Sequence, residues 1–163
     1  MSATISRDRP DTSSPGRSRS MAIRIRPLRR SDYDAMIALF RVCGLSPKTN
    51  GRDSLRSFAQ QLRRNADSYL GAFDGGRLVG TVLGTHDTRK GWINRLAVDP
   101  GYRRRAIAAR LVLRCELVLR KKGLEMFAAL IEPENQASEA FFESQGYDIL
   151  PIIYARKKRR ESV

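Results

Sequence analysis

The residues best suited to chemistry lie in one run, Leu96-Ala-Val-Asp-Pro-Gly-Tyr-Arg-Arg-Arg-Ala-Ile-Ala-Ala-Arg-Leu111. An apolar stretch ends at Val98, a Pro-Gly turn follows, and Arg103, Arg104 and Arg105 lead into a helix opened by Ala106, Ile107, Ala108 and Ala109. A helix start presents unpaired backbone N–H groups and the positive end of the peptide dipole. Alanines there let an anion approach the backbone closely, and guanidinium groups beside it add charge. The expected chemistry is a seat for a diphosphate. From this run alone, an ordinary strand-to-helix connection with solvated arginines and a contact with nucleic-acid phosphates stay open as alternatives.

A second run, Asn135-Gln-Ala-Ser-Glu-Ala-Phe-Phe-Glu-Ser-Gln-Gly-Tyr147, reads as a capped helix carrying two aromatics and stopping at Gly146. Asn135 suits the N-cap of that helix. Trp92 and Phe141 read as core residues. The spare carboxylates nearest in sequence are Glu132 and Glu134, which read as loop acids, and His86 with Asp87 sits at a hairpin end. Cys43, Cys115 and the single histidine have no ligand-type spacing, so no metal site and no disulfide framework is expected. Both thiols fall on helices and read as buried and inert. Unpaired cysteines point to a reducing compartment, and the chain reads as a soluble cytoplasmic protein.

Around these runs the hydrophobic period switches between two and 3.6 residues. Residues 22–27 alternate apolar and charged side chains, as a half-buried strand does. Ser31-Asp-Tyr-Asp34 resembles a helix start, and that helix continues to about Val42 with Gly44 as its stop. A second helix covers residues 54–64, with Leu55, Phe58 and Leu62 as its buried stripe. Residues 69–73 and 78–84 read as strands joined by Asp74-Gly75-Gly76, and residues 92–98 as a third. A long helix follows over residues 105–122, with Ile107, Leu111, Cys115 and Val118 on its apolar side. Residues 126–131 form a short buried strand, residues 136–144 a helix, and residues 147–155 a last strand. The order β-α-α-β-β-β-α-β-α-β implies a mixed α/β sheet with helices on both faces.

The first run resembles the signature Val-x-Pro-x-Tyr-Arg/Gln-x-x-Gly-x-Gly/Ala of GNAT acetyltransferases, through Val98, Pro100, Tyr102, Arg103, Ala106 and Ala108. The second run is similar to that family's later Asn, aromatic helix and Gly-aromatic signature, and the element order agrees from Ile23 to Tyr154. The resemblance implies an enzyme that takes acetyl-CoA as cosubstrate and transfers its acetyl group to a primary amine, small or on a protein. Leu96, Ala97 and Val98 would pair with the pantetheine arm, and the backbone from Arg103, Arg104 and Arg105 through Ala106, Ile107, Ala108 and Ala109 would hold the pyrophosphate. Asn135 and Phe142 would contact the arm near the thioester. The N–H of Val98 would polarise the thioester carbonyl. Homodimers are common in similar proteins.

Three positions depart from the family pattern. The first glycine of the turn is Ala106, which requires a negative φ if its Cβ is to fit without strain. The carboxylate often found one residue after the apolar position on the third strand is Asn94, which takes no proton at neutral pH. The tyrosine that often protonates the thiolate is Phe142. Ser138, one helical turn before it, could hold a water, and Glu132 is a second candidate for proton handling. The rival reading is a non-catalytic member that senses acetyl-CoA, or a basic protein that binds nucleic acid.

Charge and length bound the rest. The net charge is +14, and eight basic residues stand against Glu116 alone in residues 103–122. Residues 1–20 have no apolar periodicity and read as a disordered tail. Residues 21–155 read as the acetyltransferase domain and residues 156–163 as a basic, solvated tail. No apolar run approaches the roughly 20 residues that cross a bilayer.

Overall fold

The sheet that carries the molecule alternates side chains toward two separate apolar clusters, one on each face. The computed structural model describes residues 22–160, so the expected N-terminal tail lies outside the described residues. Five strands, β1 (Arg24–Pro27), β2 (Tyr69–Asp74), β3 (Arg77–His86), β4 (Gly91–Val98) and β5 (Phe127–Ala129), lie in sequence order. Neighbours are antiparallel up to β4, and β4 and β5 are parallel. A parallel pair needs a crossover, and α3 (Ile107–Arg120) supplies it. Helices α1 (Tyr33–Val42) and α2 (Leu55–Asn65) cover one face with Met36, Ile37, Phe40 and Phe58; α3 and α4 (Gln136–Ser144) cover the other with Ile107, Leu111, Cys115, Leu119 and Phe142. This is the mixed α/β sheet with helices on both faces that the sequence implied.

Local chemistry explains the element ends. The Asp32 carboxylate accepts the Arg29 N–H at 2.7 Å, which starts a single 3-10 turn before α1. It also takes a two-pronged contact from Arg26 of β1, at 2.8 and 3.0 Å, so the helix start is tied to the edge strand. Ser54, expected as the first residue of α2, is instead its cap and accepts the Ser57 N–H. Asn135 caps α4 by accepting the Ser138 N–H at 3.1 Å.

Five expectations are corrected. The helix expected from Arg105 starts at Ile107, because Arg104 and Ala106 hold positive φ and cannot be helical. Leu55 lies at the first position of α2 and is exposed, leaving Phe58 as that helix's buried residue. The strand expected at residues 126–131 shrinks to three half-buried residues, with Met126 and Leu130 exposed at its ends. No strand forms over residues 147–155: Pro151 has no N–H to give a ladder, and Ile149, Leu150, Ile152, Ile153 and Tyr154 are exposed. Tyr147 instead ends the α4 unit, donating its hydroxyl to Glu116 at 2.7 Å while its ring meets Phe142 edge-on. Burial and that carboxylate hold the Tyr147 phenol far above its usual range. Finally, Cys43 follows α1 and is half-buried rather than enclosed, whereas Cys115 is fully buried as expected. No helix among the described residues is long and apolar enough to cross a membrane.

The closeness of α3 to the sheet generates one prediction. Gly84 of β3 is buried, and a Cβ there would collide with the Cys115 sulfur and sit 3.1 Å from Ser68 atoms. Gly84→Ala should cost roughly 1–3 kcal/mol through overpacking, read as a fall in Tm of about 2–4 °C per kcal/mol. A Tm equal to that of the unaltered chain would refute this packing. A second prediction follows from Asp32, whose carboxyl is lowered from its ordinary value chiefly by the Arg26 hydrogen bond. A depressed folded-state value stabilises above the unfolded value of about 3.9 and loses that contribution as pH falls through the folded one. The Tm gap between the unaltered chain and Asp32→Asn should therefore be present at pH 6 and close as pH drops below about 4. A gap constant down to pH 2 would contradict it.

Candidate active site

Strand β4 keeps its antiparallel partner but loses its parallel one. Pairing with β5 covers only Gly91, Trp92 and Ile93, while β3 still pairs with Ala97 and Val98. The Asp99 N–H bonds to the Val79 carbonyl at 2.9 Å, so Val98, one residue earlier, turns its N–H and C=O away from β3. The Cys43 thiol reaches the Val98 carbonyl at 3.4 Å, which agrees with an oxygen not spent on β3. A carbonyl has two lone pairs, so one remains for a second donor. The result is a short open strand edge inside the molecule. Burial is the main reason the Cys43 thiol is pushed up, so it stays protonated.

Beyond Val98 the chain makes a 3-10 turn over Pro100–Tyr102, capped by Asp99, whose carboxylate accepts the Gly101 N–H at 2.9 Å. Arg77 holds the other oxygen of Asp99 at 2.8 Å. Tyr102 donates its hydroxyl to Asp74 at 2.9 Å, and the Arg105 guanidinium lies 4.9 Å from the centre of its ring. The β2–β3 hairpin and the turn are thus pinned to each other, and Tyr102 walls one side of the adjoining cleft.

After Tyr102 the backbone curls into a concave loop. Arg104 (φ 59°) and Ala106 (φ 55°) are both left-handed, bracketing Arg105. The negative φ expected at Ala106 is therefore corrected: the residue keeps the conformation a glycine would take freely, at a cost of roughly 1–2 kcal/mol. Such turns curl successive N–H groups around one side, where they favour an anion. Ala106 gives α3 no side-chain cap, so the first amides of that helix also have no intrahelical partner. The cleft of about 200 Å³ formed here is lined by Val98, Tyr102, Arg103, Arg104, Ala106, Ile107, Ala108, Ala109 and Phe141. The open edge of β4 and the positive end of α3 meet in one cleft.

Sequence-derived site residues divide accordingly. Val98, Arg103, Arg104, Ala106, Ile107, Ala108 and Ala109 come together. Leu96 and Ala97 belong to the same strand, Ala97 with its side chain buried toward α1. Arg105 stacks on Tyr102 instead of lining the cleft. Phe142 is buried, 5% exposed, between Phe141 and Tyr147; its neighbour Phe141, read as core, lines the cleft instead. The helical turn of α4 decides this, since adjacent residues point about 100° apart. Asn135 spends its side-chain oxygen on the α4 cap and is exposed, and neither it, Ser138 nor Glu132 lines the cleft. Asn94 donates to the Thr85 hydroxyl at 3.1 Å and to the Trp92 carbonyl at 3.4 Å, which leaves its amide oxygen directed elsewhere. Three residues escaped sequence reading: Tyr102 and Phe141 as walls, and Arg95. The signal for Arg95 was an arginine in a buried strand, which requires a partner.

A loop that gathers amides at an uncapped helix start fits a diphosphate, and an open strand edge fits an amide-bearing arm. The group suited to both is a coenzyme A thioester. Comparison with known proteins agrees. The model of the acetyltransferase (GNAT) family matches residues 31–147. An acetyltransferase of Pectobacterium atrosepticum is 30% identical over 134 residues, covering 82% of this chain and 94% of that protein. The PaiA N-acetyltransferase of Thermoplasma acidophilum, solved with coenzyme A, superposes with a TM-score of 0.72 at 22% identity over 82% of this chain and 94% of that one. The aminoglycoside acetyltransferase AAC(6')-Iy, solved with a bisubstrate analogue, gives 0.67 at 18% identity over 84% and 99%. The chain belongs to the acetyltransferase (GNAT) family and is an acyltransferase whose cosubstrate is acetyl-CoA.

Proposed function

We propose that this chain transfers the acetyl group of acetyl-CoA to a primary amine by direct attack, with no covalent intermediate on the protein. The observation that carries this reading is the continuity of the open β4 edge with the concave Arg103–Ala109 loop in one cleft. The backbone amides of the loop and the first turn of α3 would hold the diphosphate, with Arg103 and Arg104 adding charge. Leu96 to Val98 would pair with the pantetheine amides, and the Val98 N–H would donate to the thioester oxygen. Acetyl-CoA supplies an activated acyl carbon and a thiolate able to leave near neutral pH.

Proton handling falls mainly to the amine and to water. Asn94, whose amide donates to Thr85, takes up no proton, and Phe142 is buried away from the cleft and carries none to give. Holding the neutral amine against the bound thioester then supplies much of the rate, through proximity. The acceptor is a small amine or a protein amino group, and structural neighbours of both kinds share the fold. Two cysteines without a disulfide among the described residues support a reducing, cytoplasmic setting.

Isothermal calorimetry tests the reading. Acetyl-CoA should bind the unaltered chain, and the double variant Arg103→Glu with Ala106→Glu should weaken it on the order of a hundredfold, equivalent to about 2.7 kcal/mol. Absence of binding to the unaltered chain would sink the acetyl-transfer reading, and unchanged affinity in the double variant would move the diphosphate elsewhere. Ala106→Gly tests the loop from the other side. Releasing the left-handed strain should stabilise the chain by about 1 kcal/mol, a rise in Tm of about 3 °C. A lower Tm would mean that Ala106 is not strained in this way.

A further inference from the structure

Strand β4 carries one residue more than β3 allows. Thr81 faces Ala97 and Leu83 faces Asn94, so Val82 alone stands opposite Arg95 and Leu96. Arg95 takes up the surplus with a left-handed backbone, φ 50°. A residue with a Cβ keeps such a conformation inside a strand only when its surroundings fix it. The fully buried Thr81 hydroxyl donates to the Arg95 carbonyl at 3.1 Å. The guanidinium donates to Asp53 at 2.8 Å and lies 5.3 Å from the centre of the Phe40 ring.

Asp53 is itself held from several sides. Its carboxylate accepts the Lys48 N–H at 2.8 Å, its own N–H donates to the Lys48 carbonyl at 3.1 Å, and its carbonyl accepts the Tyr33 hydroxyl at 2.7 Å. The connection between α1 and α2 is therefore a built loop, fastened to the bulge by one ion pair whose side chains are 21% and 14% exposed. Those side chains are largely shielded from water, so removing one partner leaves the other charge uncompensated. The pair also has a geometric effect, because the next residues after the bulge are Leu96, Ala97 and Val98, the open edge.

We propose that Arg95 and Asp53 form a positioning latch: the ion pair sets the β4 bulge and so aims the open edge at the thioester, while tying that edge to the loop over residues 45–54. The proposal rests on the acetyl-transfer reading for its purpose, but the latch itself is testable without it. Because the coupling is an equilibrium one, whatever orders the loop tightens acetyl-CoA binding, and acetyl-CoA orders the loop to the same degree. Neither residue needs to touch the reacting atoms.

Asp53→Asn keeps the size and removes the charge, and Arg95→Gly keeps the left-handed backbone while deleting the latch; Asp53→Glu is the conservative control. Amide hydrogen exchange is followed by NMR in the chain without acetyl-CoA, and acetyl-CoA affinity by calorimetry. In the first two variants the Ala97 and Asp99 amides should exchange about tenfold faster, with Val112 and Leu119 of α3 unchanged, as local opening requires. Acetyl-CoA affinity should fall at least about fivefold in the same two variants and recover in Asp53→Glu. Exchange at Ala97 and Asp99 within twofold of the unaltered chain overturns the latch, as does an increase shared equally by α3. Faster exchange with unaltered affinity overturns its positioning role. Failure of the unaltered chain to bind acetyl-CoA would instead defeat the functional reading, with the exchange rates still deciding the latch.

Discussion

Strand β4 must remain bonded to β3 while parting from β5, and most of the molecule is arranged around that demand. A strand buried in a sheet normally spends every N–H and C=O on its neighbours. Here the ladder to β5 ends at Ile93, the later residues of β4 have no strand partner on that side, and Val98 lines the cleft. Backbone groups left so are costly unless something polar meets them. The Cys43 thiol meets one, the Val98 carbonyl. In the proposed reading a pantetheine arm would meet the rest, and the cost of the split strand would be offset on binding.

The two faces of the sheet contribute differently to this edge. On one, α3 is pressed against Gly80 and Gly84, whose missing side chains let Ile107, Leu111 and Cys115 sit close to the strand backbone. That closeness brings the positive end of α3 beside the end of β4, where the proposed reading places a phosphate and the arm joined to it. On the other face, α1 and the following loop reach the bulge through Phe40, Asp53 and Tyr33. The first face thus sets the position of the α3 start, and the second reaches the bulge that precedes the open edge.

Three of the four left-handed non-glycine residues among the described ones lie in this region; the fourth, Thr88, sits in the β3–β4 turn. Arg95, Arg104 and Ala106 are all left-handed without being glycine, and all three flank the edge or the anion loop. Each is held by a feature of its own: an ion pair at Arg95, the pinned Tyr102 turn before Arg104, and the fully packed Ile107 after Ala106. Backbone held in a strained form by packing is pre-organised, which would lower the ordering cost of any ligand that binds there.

The amino-acid sequence alone was enough for the order of elements as far as α4, the two-faced sheet and the Asn135 cap. These follow from short-range rules: hydrophobic period, capping residues and small side chains at a helix start act within a few positions of one another. Tertiary structure alone decided that Phe141 and not Phe142 faces the cleft, because the rotation of α4 is set by Tyr147 reaching Glu116 and packing on Phe142. It also decided that Ala106 is left-handed, that residues 147–155 form no strand, and that Arg95 finds Asp53 forty-two positions away. A local pattern says which face of an element is apolar. It carries no record of which distant side chain will meet that face, and the geometry of the site depends on those meetings.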